Sequence, residues 1–205
     1  MHVEVKEVHE DYNYKNFFKI LRTRLRHEKF DGSMSQEIER LVFERGDSVG
    51  VLLYDADEDV VLLTKQFRYP AYLHNGPGWL LEIVAGVQDK GRDMLTVAQS
   101  ELVEEIGYQA HSLQFLCHFY LSPGGSSERM SLYLGYVHHA KQVHAGGGLA
   151  SEHEDIQLVR LKFRDALDMI FRGEICDAKT IIALQQLYLL QRHKLPLVNG
   201  DMEAR

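Results

Sequence analysis

Apolar positions fall first into short extended runs. Phe17-Phe18-Lys19-Ile20-Leu21 opens apolar and passes into a partial alternation through Arg26. Asp31-Gly32 is a turn signal, and an extended pattern resumes over residues 35–44. These runs predict a hairpin, set off as an N-terminal β arm over residues 1–46, ahead of a main domain over 47–205. Residues 49–54 and 60–64 are apolar runs of strand length, joined by an acidic turn over 55–59. Residues 80–84 read as another short strand, ending at Ala85-Gly86. From Met94 the period changes. Leu95, Ala98, Leu102 and Ile106 form one helical stripe, and Gly107 supplies the stop. Strands resume over 113–120 and 130–137, with His138 and His139 on a strand and so facing opposite ways. A glycine-rich loop over 145–151, a strand over 157–163 and helices over 163–171 and 178–192 follow. Strands, helix, strands, helices is the order of an α+β or mixed α/β domain whose strands are not all parallel.

Composition narrows the function. A chain of 205 residues holds one domain, or one domain with an arm. Lys and Arg number 23 against 30 Asp and Glu, a net charge of −7, which argues against non-specific nucleic-acid binding and docking on anionic membranes. Cys117 and Cys176 lie far apart and read as buried thiols of a reducing compartment. No apolar run is long enough to span a bilayer, and the first residues lack a basic start followed by an apolar stretch. The expected location is the cytoplasm. There is no H-E-x-x-H, no G-x-x-x-x-G-K and no G-x-G-x-x-G, so zinc catalysis, kinase and dehydrogenase chemistry have no support.

Glu101, Glu104 and Glu105 fall at i, i+3 and i+4 of the helix, which puts three carboxylates on one face near its C-terminus. They repel one another, and the helix dipole disfavours anions there. A solvated acidic face fits that spacing. So does a site for a hard divalent cation, Mg²⁺, Mn²⁺ or Ca²⁺ rather than zinc.

The surroundings carry more. Gly86, Arg92 and Ser100-Glu101-Leu102-Val103-Glu104-Glu105-Ile106-Gly107-Tyr108 resemble the Nudix box, G-x5-E-x7-R-E-U-x-E-E-x-G-U with U a bulky apolar residue. Arg92 stands in place of the first Glu and Ser100 in place of the Arg. Beyond the box, Phe43-Glu44-Arg45-Gly46, Gln66-Phe67-Arg68, Leu80 to Gly86, Ser122-Pro123-Gly124-Gly125-Ser126-Ser127-Glu128-Arg129 and Gly148 to Asp155 look like the ADP-ribose pyrophosphatase branch of that family. The similarity runs from Phe17 to Leu190.

The resemblance implies a Nudix α/β/α sandwich and a homodimer in which the N-terminal strands pack on the partner. It implies Mg-dependent hydrolysis of a nucleoside-diphosphate sugar, ADP-ribose to AMP and ribose 5-phosphate, with GDP-mannose as the rival substrate. By the same resemblance Glu101, Glu105 and the Ala85 carbonyl hold two or more Mg²⁺ ions, with Mn²⁺ as the substitute, and Glu104 is a ligand or orients one. Glu152, behind the glycines 146–148, is the expected general base, with Glu154 as its partner or a further metal contact. An ordinary polar loop is the competing reading. Arg40 and Arg68 match phosphate- or base-contacting positions, Glu82 and Glu128 match polar contacts, and Phe17 matches a residue packed on the base. A surface arginine without a role competes for Arg40, and core packing competes for Phe17. A nucleotide-sugar-binding module without catalysis, motivated by Arg92 and Ser100, is the alternative function. A purely structural protein has no feature in its favour.

Overall fold

Every residue from Ser48 to Tyr54 is buried, so this strand needs apolar cover on both faces. The computed structural model, which describes residues 1–14, 18–88 and 91–193, supplies that cover. In chain order the strands are β1 (Val3–Tyr14), β2 (Phe18–His27), β3 (Ile38–Glu44), β4 (Ser48–Asp55), β5 (Val60–Phe67), β6 (Trp79–Glu82) and β7 (Val84–Val87). Then come β8 (Tyr108–Ala110), β9 (Gln114–Tyr120), β10 (Arg129–Tyr136), β11 (Ala140–Gln142) and β12 (Gln157–Lys162). The helices are α1 (Tyr69–Tyr72), α2 (Met94–Ile106), α3 (Phe163–Phe171) and α4 (Ala178–His193).

The chain divides into two units. The larger comprises residues 48–119 and 130–205. Its sheet of seven strands runs β12-β5-β4-β10-β9, with β6 beside β5 and β7 beside β4. β4 is parallel to β10 and antiparallel to β5 and β7. Alternate residues of the central strands face opposite helices. Val49, Val51, Leu53, Leu62 and Val84 pack with Val97, Ala98, Leu102 and Ile106 of α2. Leu52, Tyr54, Val61 and Leu63 pack with Phe163 of α3 and with Ala183, Leu184 and Leu187 of α4. The result is a mixed α/β sandwich. Each fully buried Leu, Ile or Val stabilises it by about 1.5–3 kcal/mol.

The smaller unit comprises residues 1–47 and 120–129. β1, β2 and β3 form an antiparallel sheet in that order, so the expected hairpin carries a third strand. The loop after β9 is bound into this unit. Phe43 N donates to Gly125 O at 2.8 Å, and Arg129 pairs with Asp47 at 3.1 Å.

Several expectations are corrected. Residues 80–84 are not one strand. The ladder breaks at Ile83, whose N–H donates to Thr180 Oγ1 at 2.8 Å, and β6 and β7 take different neighbours. His138 and His139 lie on a 3₁₀ turn (Val137–His139) rather than a strand. Leu95 stays 40% exposed in the first turn of α2, while Val97 is fully covered. Cys117 is half-buried and Cys176 exposed, not two buried thiols. Among the described residues, no helix is long and apolar enough to cross a membrane.

Candidate active site

Asp93 caps the N-terminus of α2, its side chain accepting from Thr96 N at 3.0 Å. Gly107 ends the helix at φ 73°, and a Cβ there would lie 2.0 Å from the His144 carbonyl oxygen. Between these caps, Leu102 and Ile106 anchor α2 in the core and bring Glu101 and Glu105 to its edge. Glu105 is 4% exposed. Its carboxyl is pushed up to about 9, first by burial, then by the charges of Glu101 and Glu154. Arg68 opposes that rise and Glu82 adds to it.

Glu101 lies against the backbone of Gly86. A Cβ at Gly86 would sit 2.0 Å from Glu101 Oε1, so this placement of the carboxylate needs glycine there. Glu104 turns elsewhere. It lines an open groove with Thr96, Ser100, Val103 and His111, which holds none of Glu82, Glu101, Glu105 or Arg68.

Glycines 146, 147 and 148 have φ of 75°, 119° and 83°. The last two are clamped onto α2. Gly147 N donates to Glu105 O at 2.9 Å and Gly148 N to Glu104 O at 3.1 Å, satisfying carbonyls that the end of α2 leaves unpaired. Glu154 is held in turn, its Oε2 accepting from Leu149 N at 2.9 Å. Glu152 ends a 3₁₀ turn (Ala150–Glu152), and its side chain is not among those described.

Glu82 is 3% exposed and sits between two cations. Arg68 Nε reaches its Oε2 at 2.7 Å, and Lys179 Nζ reaches its Oε1. Lys179 also meets Asp177 at 2.9 Å, and Asp177 caps α4 through Thr180 N at 3.0 Å. Sequence reasoning missed Asp177, Lys179 and Thr180. One signal was available: a lysine in the first turn of a helix opposes the dipole and asks for a partner.

Arg40 and Glu128 belong to the smaller unit. Arg40 is exposed on β3, its Nη1 donating to Glu39 O at 2.8 Å. Glu128 is 7% exposed and lies 3.6 Å from Arg45 Nε, inside the smaller unit. Phe17 falls outside the described residues.

The donors fit a hard cation. Burial first, and then neighbouring carboxylates, favour the protonated form of Glu105, and a divalent ion with oxygen ligands relieves both. Among the described residues, no three His, Cys, Asp or Glu side chains already converge on one point. Glu101 and Glu105, with the backbone at Ala85, are the groups that would hold the ion.

The NUDIX domain model matches residues 44–194. The chain belongs to the Nudix family. It is 39% identical over 178 residues to the ADP-ribose pyrophosphatase of Escherichia coli (strain K12), covering 86% of this chain and 84% of that one. It is 35% identical over 186 residues to the GDP-mannose pyrophosphatase of Yersinia pestis (strain Pestoides F), covering 90% and 92%. A crystal structure of an ADP compounds hydrolase shares the fold, with a TM-score of 0.70 at 18% identity over 95% of this chain and 98% of that one. In Nudix terms α2 is the box helix. The two departures from the box touch each other, Arg92 Nη1 donating to Ser100 Oγ at 3.2 Å.

Proposed function

We propose that this Nudix protein hydrolyses the pyrophosphate bond of a nucleoside-diphosphate sugar, ADP-ribose before GDP-mannose, with Mg²⁺ or Mn²⁺. The observation that carries this reading is Glu105, a buried carboxylate acted on by Glu101 and Glu154. When bound, the ions neutralise the pyrophosphate and lower the pKa of the attacking water. Glu101, Glu105 and the Ala85 carbonyl hold them. Glu152 accepts the proton of the water that adds across the P–O–P link. Glu154, fixed by Leu149 N, restrains the loop that carries Glu152. Arg68, set by Glu82, faces the phosphates. Arg40, Glu128 and Phe17 complete the recognition of base and ribose, and Glu82 adds a polar contact. The arm over 1–46 is the dimerisation element of a homodimer, with the hydrolase domain over 47–205.

Product formation from ADP-ribose, GDP-mannose, ADP-glucose and NADH with Mg²⁺ tests the reading. AMP and ribose 5-phosphate formed fastest from ADP-ribose are expected. Faster turnover of GDP-mannose reverses the preference. Tight binding of one substrate without cleavage of any favours a binding module, the alternative that Arg92 and Ser100 motivate.

A further inference from the structure

Glu82 is the buried centre of a chain of alternating charges, Arg68–Glu82–Lys179–Asp177. Its two carboxylate oxygens go to different cations, Oε2 to Arg68 Nε at 2.7 Å and Oε1 to Lys179 Nζ. Lys179 is 8% exposed and comes from the first turn of α4, 97 residues away in sequence. α4 is itself docked at this point. Asp177 Oδ2 accepts from Thr180 N at 3.0 Å and from Thr180 Oγ1 at 2.6 Å, and that hydroxyl accepts from Ile83 N at 2.8 Å. Glu82 is thus fixed through its own side chain and through the next backbone N–H. The outer end of the chain differs. The Arg68 side chain is 41% exposed, and its bond to Glu82 uses Nε, which leaves the Nη nitrogens outside that bond. Arg68 and Glu82 both act on Glu105, so they lie within reach of the expected cation site. The last torsion of a glutamate is soft. A single partner on Oε2 does not fix the carboxylate plane, whereas a second cation on Oε1 does. A half-exposed arginine has many rotamers, and a carboxylate that cannot turn selects among them.

We propose that Lys179 is a positioning residue for substrate binding: by holding Oε1 of Glu82 it fixes the carboxylate that aims the Arg68 guanidinium at the phosphates of the nucleoside-diphosphate sugar. The proposal rests on the function above and on its placement of Arg68 at the phosphates. Lys179 itself, enclosed between Glu82 and Asp177, needs no contact with substrate. Those two carboxylates also account for a lysine in the first turn of a helix, where the dipole disfavours a cation.

Steady-state kinetics with ADP-ribose and with GDP-mannose, at saturating Mg²⁺, test it. Lys179→Met is expected to raise KM about 10-fold, the scale of one charge-assisted hydrogen bond, with kcat little changed. A merely structural lysine behaves otherwise: partial unfolding lowers the active fraction, and so kcat, but leaves KM alone. Asp177→Asn is the gentler variant and decides the matter where Lys179→Met does not fold. It keeps a cap for Thr180 N, removes the charge beside Lys179 Nζ, and should raise KM about 3-fold, the low end for one hydrogen bond. In an Arg68→Met background, where Lys179 still pairs with Glu82, the same change should leave KM unmoved. An unchanged KM in the single variants overturns the proposal, as does an Asp177→Asn increase that persists in full without Arg68. In those cases the hydrolase function still stands. A wild-type protein that cleaves neither substrate overturns both this proposal and the function it rests on.

Discussion

At 4% exposure, with Glu101 and Glu154 acting on it, the Glu105 carboxyl keeps its proton until about 9, against an ordinary 4.5. A folded-state pKa raised above the unfolded one gives stability that is fully present below about 4.5 and is lost as the pH rises through about 9. Glu105→Gln removes that dependence. The metal-free variant is expected to melt higher than the metal-free wild type above neutral pH, by a margin that grows toward about pH 9. It is also expected to lose turnover. Calorimetric melting across the pH range and an ADP-ribose assay check both, and a margin that shrinks with rising pH defeats the electrostatic account. Lys179 gives a second residue-scale prediction. Lys179→Met leaves buried Glu82 with Arg68 as its partner and is expected to cost about 3 kcal/mol in urea unfolding. A loss within experimental error would mean that Arg68 alone satisfies Glu82.

Two elements meet at the site, and they were legible to different degrees. The extent of α2 was readable because its apolar period and its Gly107 stop are local signals, whereas the exposure of Leu95 and the turning of Glu104 to the groove were not. By composition the glycine loop suggests a hinge, because glycine advertises conformational freedom. What the sequence does not display is that Glu104 O and Glu105 O need donors, which Gly148 N and Gly147 N supply. Gly148→Ala tests the clamp. Its φ is 83°, and the new Cβ would lie 2.6 Å from Glu154 Cβ. The expected stability loss exceeds about 1 kcal/mol. Turnover should fall more than the lost folded fraction explains, because the loop bearing Glu152 and Glu154 shifts on α2. Equal falls in activity and folded fraction would reduce the loop to a structural role. β1 lies within the expected β arm, but its bounds were not legible because its charges pair along and across the strands, as in Lys6–Glu4 at 2.9 Å and Arg22–Asp11 at 2.6 Å, rather than alternating cleanly with apolar residues.

For the whole molecule, an ion that binds the folded state alone raises its stability by mass action. Mg²⁺ at one hundred times its dissociation constant should add about 2.7 kcal/mol, reversed by a chelator. Melting curves with and without Mg²⁺ measure this, and a protein insensitive to the ion would leave Glu101 and Glu105 without their assigned role. Sedimentation velocity tests the dimer, with two chains per particle expected at micromolar concentration.

The sequence by itself determined the fold class, the box helix and the family. Apolar period, helix caps and motif spacing are local properties, and each is written within a few residues. Only the tertiary structure decided which charges are buried and which groups share an environment. It took Ile83 out of the ladder, set Lys179 on Glu82 across the sheet, closed the glycine loop onto α2 and joined Arg92 to Ser100. Burial and pairing depend on what packs over a residue, and those partners come from distant parts of the chain.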